Sequence, residues 1–479
     1  MNKCLTCPRN DRPDLACLAQ SQNVPRYCEL CDPSHPDYRP EYIPLILGTV
    51  ESPAPPVVTR PARDVLIHAS LSSWQGYGQL AEAIGRGMEG LGHAVEFVDL
   101  GTDLRYLGRD PWVQDRVTPR PGPSPWSILI ARPEHPKPPG RVARMTMWET
   151  SRLKPNAVAE LNPSALVIVP SHQNLHAFLA SGVTAPIEVV PMGIDPSFYF
   201  DDSTPIPSGK VVFGMAARMA HGAVRKGINE GVRAFVDAFP RWRGDDVELQ
   251  IKVFLDCLPL IDLPDDPRIK VIAEALDTEG LLAWYRGLTC LFVPSKGEGW
   301  GLHTHAAMSV GRPVIAADWG GTSEFWTEAC GWGLDFDLAP AGEVFAMAGS
   351  EWAVPRHESM VSTLRYVYSH RDEAIAKGRA AALRAAEFTW HRTARELRDV
   401  LGRHGFPIST GIPPPVENPE FARLTARRAE CPDLGPTLPC GCGTLHICLA
   451  GKGRDYGKGN DHTVADLDCF ACPWSVATR

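Results

Sequence analysis

VPSKGEGWGLHTHAAMSVGRPVIAADWGGTSEF, residues Val293 to Phe325, reads as two strand ends, each followed by a glycine-rich turn. The first apolar run stops at Pro294, the turn behind it carries Glu298, and a helical pattern opens near Leu302. The second run, PVIAA, leads to Gly320 and Gly321, followed by Thr322 and Glu324. Strand, turn and helix in this order point the free N–H groups of a helix N-terminus into the crevice beyond the strand ends, a place suited to phosphate oxygens. Gly299, Gly301, Gly320 and Gly321 let a ligand come close to the backbone.

The same alternation extends on both sides. KVVFGMA, a helix from about Lys226 to Phe239, ELQIKVF, RIKVIA, a helix through Leu281 to Tyr285, and CLFVP precede it. Their apolar runs are unbroken, as expected of parallel strands covered on both faces. Residues 204–388 therefore predict one doubly wound domain, and helical segments from about Glu358 to His404 include a C-terminal helix within 389–410. DVLIHA, the turn GYG, the helix QLAEAIGRGMEGLG, AVEFVD, SILIA, VARMTM, ALVIV and IEVV predict another such domain over 63–203, with FDDSTPIPSGK as hinge. The fold class is α/β, with two Rossmann-like domains facing a cleft. In the first domain, Gly76, Tyr77 and Gly78 follow the first strand as a turn whose small residues let either an acceptor or a donor phosphate approach the backbone. MTMWETSRLKP, Met145 to Pro155, brings Glu149 to the cleft, either to contact or deprotonate an acceptor group, or as a capping or salt-bridged carboxylate.

Three ordered blocks carry a resemblance. Val293–Phe325 is similar to the pattern serine, short gap, EGFGL, helix, GxPVIA and GGxxE of the family 4 glycosyltransferases, which have the GT-B fold. GMAARMAHGAVRKGINEGVRAF, Gly214 to Phe235, resembles that family's strand, arginine, arginine-lysine-glycine and helix, and PSHQNLHAFLASGVTAPIEVVPMGIDPSFY, Pro170 to Tyr199, its interdomain segment. The resemblance runs from about residue 64 to 404 and implies a retaining hexosyltransferase that uses a nucleotide sugar. It further implies that Arg218 and Lys226 clamp the donor diphosphate, that Glu298 contacts the transferred sugar, and that Gly301 and Leu302 offer backbone donors. Two fixed cations and helix-terminal amides would stabilise the charge that develops on a departing diphosphate. No catalytic metal is implied, and the DxD spelled by Asp335, Phe336 and Asp337 reads as structural. The family's second glutamate, eight positions after the first, holds the nucleotide ribose; here that position is Ala306, and Thr304, His303 and His305 are the candidates to replace it.

The ends of the chain differ from its middle. Eleven of the 14 cysteines fall in the head and tail. Cys4, Cys7, Cys28 and Cys31 form two CxxC pairs, the pattern of a tetrahedral thiolate site, with Cys17 as a spare. In the tail, Cys440, Cys442, Cys469 and Cys472 are the best set. A head over 1–50 and a tail over 420–479 are thus expected to hold structural zinc, with an iron–sulfur cluster as the alternative. Cys257, Cys290 and Cys330 read instead as buried free thiols.

Formal net charge is -8, and neither end is basic, so no general attraction to nucleic acid or to anionic membranes is expected. No apolar run is long enough to span a membrane, and the N-terminal stretch lacks the apolar core of a signal peptide, which predicts a cytoplasmic protein. The acceptor, whether saccharide, protein or nucleic acid, is not written in these motifs. A non-catalytic, zinc-stabilised binding or scaffold protein of the same fold, and a nucleic-acid-modifying glycosyltransferase, are the competing readings.

Overall fold

The computed structural model describes residues 64–71, 76–101, 110–118, 124–195, 198, 205–217, 223–274, 276–342 and 349–408, and the backbone of 434–440 and 443–448. Its first sheet is built from β1 (Val65–Ala69), β2 (Val95–Asp99), β3 (Trp126–Ile130), β4 (Arg141–Met145), β5 (Leu166–Val169) and β6 (Ile187–Val189). All pairs are parallel, in the order β2-β1-β3-β4-β5-β6. Helices α1 (Gly76–Gly90), α2 (Pro155–Leu161) and α3 (His172–Ala180) cover it. Every residue of β1, β3 and β5 is buried, which is why these strands read as unbroken apolar runs.

A second parallel sheet contains β7 (Val211–Ala216), β8 (Val247–Lys252), β9 (Ile269–Ile272), β10 (Cys290–Val293), β11 (Val314–Ala316) and β12 (Gly331–Gly333), in the order β12-β11-β10-β7-β8-β9. Its helices are α4 (Ile228–Ala238), α5 (Thr278–Gly287) and α6 (Leu302–Ser309). A hairpin of β13 (Phe336–Pro340) and β14 (Glu351–Pro355) follows, then α7 (His357–Ser369), α8 (Arg371–Ala386) and α9 (Trp390–Arg403). β15 (Leu434–Cys440) and β16 (Gly443–Cys448) form a separate antiparallel pair.

The strand order reverses between β1 and β3 in one sheet and between β7 and β10 in the other. Ligands of open parallel sheets bind beyond the carboxyl ends of strands at such switch points. The chain after β7 leads to Lys226, and the chain after β10 to Glu298.

Two local readings differ from expectation. Gly76, Tyr77 and Gly78 form the first turn of α1 rather than a loop, because Gly78 and Leu80 are buried against the sheet and packing overrides weak helix propensity. The helix expected from Lys226 is interrupted at Gly227, where φ is +65°, so a short turn (Ala223–Lys226) precedes α4. Asp335 to Asp337 enters a hairpin, with Asp337 paired to Arg356 at 2.5 Å, in keeping with a structural role.

α9 returns to the first domain. Ile194 N donates to Phe388 O at 3.1 Å, Thr393 Oγ1 to Pro191 O at 2.8 Å, and Arg141 Nη1 to Gly405 O at 3.1 Å. One apolar cluster accordingly runs from β1 and α1 through α9 to Trp300, Phe325 and Phe388.

His305 lies fully buried in that cluster, against Trp300, Phe325 and Phe388. The Trp300 Nε1–H donates to His305 Nδ1 at 3.3 Å, so the imidazole proton sits on Nε2 and is donated to Ala385 O at 3.2 Å. Burial lowers its pKa to about 4, although the Ala385 carbonyl favours the cation. The unfolded chain, with an ordinary histidine, binds this proton more tightly, so His305's contribution is complete above pH 6.5 and is lost as pH falls towards 4. The loss by pH 4 is about 3 kcal/mol. The melting temperature should therefore fall between pH 7 and pH 5, and His305→Gln should flatten that fall; an equal slope in the variant would contradict it.

Candidate active site

The loop from Pro294 to Gly301 is pinned from three directions. Lys296 N donates to Arg225 O at 2.8 Å, Gly321 N to Glu298 O at 2.7 Å, and Asn174 Nδ2 of the first domain to Gly299 O at 3.2 Å. Asn174 also accepts from Trp148 N at 2.6 Å and so ties the two domains at this point. A Cβ on Gly297 would overlap the Glu149 carbonyl oxygen, so only glycine permits this approach of the two backbones. Gly301, with φ +99°, turns the chain into α6, whose first amides are left without intrahelical partners.

Inside this frame sit two carboxylates and two cations. Lys226 Nζ lies 2.6 and 2.8 Å from the Glu298 oxygens. Arg225 Nη1 lies 3.3 Å from Glu298 Oε2 and also donates to Gly297 O. Its Nη2 faces Glu149 Oε1 of the first domain at 3.8 Å. The Arg225, Lys226 and Glu298 side chains are only 12–13% exposed. Burial opposes ionisation of Glu298, but Lys226 and then Arg225 outweigh it and hold the carboxyl at about 2. Burial works against the Arg225 charge too, and Glu149 followed by Glu298 outweighs it, moving its pKa up. Burial draws the Lys226 ammonium below its usual value against the pull of Glu298.

The other expected residues take varied places. Gly76 faces Leu302 across the two domains, and the Tyr77 hydroxyl lies 3.4 Å from Thr146 Oγ1 and accepts from Met147 N at 3.3 Å. Gly320, Gly321 and Thr322 are buried in a short helical turn beneath Glu298, and Thr322 Oγ1 donates to Trp319 O at 3.2 Å. Glu324 accepts from His172 N at 2.9 Å, at the start of α3, and pairs with His172 Nδ1 at 3.0 Å. Arg218, Cys4, Cys7, Cys28, Cys31, Cys442, Cys469 and Cys472 lie outside the described residues, as does the Cys440 side chain. Cys257, Cys290 and Cys330 are buried and free. Among the described residues there is no cluster of potential metal ligands, and no helix is long and apolar enough to cross a membrane.

Arg225 is the residue that the sequence reading passed over. Nothing in the motif reveals that this arginine meets a carboxylate from each domain.

Residues 212–348 match the family model described as "Glycosyl transferases group 1". Over 223 residues the chain is 26% identical to the D-inositol 3-phosphate glycosyltransferase of Arthrobacter sp. (strain FB24), which covers 43% of this chain and 48% of that protein. The chain thus matches about half the length of that curated relative. Among solved structures, the sucrose-phosphate synthase of Thermosynechococcus elongatus aligns over 71% of this chain and 98% of its own, with a TM-score of 0.54 and 15% identity. WaaG, a glycosyltransferase involved in lipopolysaccharide biosynthesis, aligns over 72% and 100%, with a TM-score of 0.54 and 13% identity. The two parallel six-stranded sheets have the GT-B fold of those proteins.

Removing Arg225 would leave Glu149 facing Glu298 without the cation they share. Arg225→Met should lower stability by about 3 kcal/mol, as expected for breaking a buried ion pair. Adding Glu149→Gln should recover part of that loss in thermal unfolding, because it removes the repulsion. No recovery would mean that the 3.8 Å contact carries no energy.

Proposed function

We propose that the protein is a retaining glycosyltransferase that moves a sugar from a nucleotide-sugar donor to an acceptor. The observation that carries this reading is the buried Glu298 carboxylate held by Lys226 and Arg225 beside the open N-terminus of α6. In the transfer, the bond between the anomeric carbon and the diphosphate oxygen breaks, and its electron pair leaves with the phosphate. The acceptor oxygen bonds to the same carbon, and its proton passes to the departing phosphate oxygen. Lys226 and Arg218 are assigned to the diphosphate, together with the amides of Leu302 and its neighbours, whose field is strongest where negative charge develops. Glu298 is assigned to the hydroxyls of the transferred sugar, which requires it to remain a carboxylate, as its lowered pKa ensures. Glu149, facing the same point from the first domain, is assigned to the acceptor hydroxyl.

Ala306, where the resembling family has a carboxylate, favours a second reading as a donor-binding protein without turnover. Nucleotide release from a panel of nucleotide sugars separates the two, since slow donor hydrolysis needs no acceptor. Release from one donor, reduced about 10²- to 10³-fold in Lys226→Ala and similarly in Glu298→Ala with unchanged circular dichroism, supports transfer. Full release in both variants overturns the assignment.

We also infer that the cysteine-rich ends hold structural zinc, from the CxxC pairs Cys4/Cys7 and Cys28/Cys31 and from Cys440, Cys442, Cys469 and Cys472. Thiolate–metal bonds would supply the folding energy that two small polar segments lack. Elemental analysis of the purified full chain should find about one or two zinc ions per chain. Iron in their place, or disulfide-paired cysteines without metal, would refute it.

A further inference from the structure

The cleft lacks a carboxylate at position 306, and three polar residues of α6 stand near enough in sequence to replace it. The structure separates them. His305 is spent in the apolar core between Trp300 and Ala385, and Thr304 is 1% exposed, so neither can meet a ligand. His303 is different. It lies in the first turn of α6, partly exposed, with Nδ1 2.6 Å from the Tyr285 hydroxyl. Tyr285 is fully buried and its hydroxyl has no other partner among the described residues, so the hydroxyl must donate and His303 Nδ1 must accept. The ring proton is thereby fixed on Nε2, which has no protein partner among the described residues.

Position completes the argument. Residues 303 and 306 are three apart on α6 and share a face. A helical side chain covers the turn N-terminal to its own Cα, so a carboxylate at 306 would project over the turn where the His303 ring stands. Burial, then Lys226 and Lys252, lower the His303 pKa to about 4, so near neutral pH the ring is an uncharged donor set among cations and Glu298.

We propose that His303, oriented by Tyr285, donates through Nε2–H to one ribose hydroxyl oxygen of the donor nucleotide. This rests on the reading of the cleft as a nucleotide-sugar site. A carboxylate accepts from both hydroxyls of the diol, whereas this ring donates to one hydroxyl oxygen, so ribose is still distinguished from deoxyribose, through one hydrogen bond.

The test is calorimetric titration of the full chain with uridine, adenosine and guanosine diphosphates and with their 2′-deoxy and 3′-deoxy counterparts. Wild type is expected to bind one ribonucleotide about tenfold more tightly than one of its deoxy forms, the worth of one good hydrogen bond. His303→Ala should bring the two affinities together by weakening the ribonucleotide alone, and His303→Asn, which keeps an N–H donor, should retain part of the preference. A His303→Ala protein that keeps the full preference, or that loses ribo and deoxy forms in equal proportion, overturns the proposal. Binding by wild type with no ribose preference overturns it too and leaves the glycosyltransferase reading standing; binding of no nucleoside diphosphate by wild type sinks both.

Discussion

A carboxylate, an ammonium and a guanidinium share one small buried volume at Glu298, Lys226 and Arg225, and most of the architecture around them follows from making that tolerable. A lone buried charge is expensive, and two cations around one carboxylate leave a positive surplus. Glu149 from the first domain offsets it at 3.8 Å, so the four side chains sum to zero only when the domains are together. An anion entering this neutral cluster would add negative charge, which the open amides of α6 are placed to meet. The charge balance of the cleft and the approach of its two walls are thus the same fact.

The frame was largely legible in the sequence because parallel strands buried on both faces leave a plain signature. The runs around β1, β3, β5, β7, β10 and β11 fell within a residue or two of their observed bounds, and the start of α6 fell at Leu302. What was hidden depends on contacts distant in sequence. The Gly-Tyr-Gly opening of α1 looks like a turn until the packing of Gly78 and Leu80 is known. β12 is three residues, two of them glycine, and has no pattern of its own. The roles of Arg225 and of the three candidates near Ala306 could not be ranked from spacing. His303 and His305 are two residues apart, and only the burial of one and the tyrosine partner of the other tell them apart.

The two faces of contact between the domains differ in chemistry. Around the charged cluster they are polar and mostly involve backbone: Ser151 N donates to Glu351 O at 2.9 Å, Glu351 N to Ser151 Oγ at 2.8 Å, His172 N to Glu324 at 2.9 Å, and Asn174 to Gly299 at 3.2 Å. Such hydrogen bonds are replaced by bonds to water at a net cost of about 1 kcal/mol each. Around α9 the contact is mostly apolar and close, with Trp390 and Ala394 against α1 and the Gly193 backbone against Trp390, beside the hydrogen bonds of Ile194 to Phe388 and of Thr393 to Pro191. Separating those surfaces exposes hydrocarbon and has no compensation from water.

That asymmetry bears on how a ligand gains entry. A polar ligand that enters between the domains can replace each of the rim's hydrogen bonds with one of its own. The apolar surfaces around α9 offer no such exchange, and the core they share runs from β1 through α9 to Phe388. Glu149 belongs to the first domain and Glu298 to the second, and Arg225 meets both. The guanidinium between them is also held by the Gly297 carbonyl of the second domain, so its tie to Glu298 does not depend on Glu149.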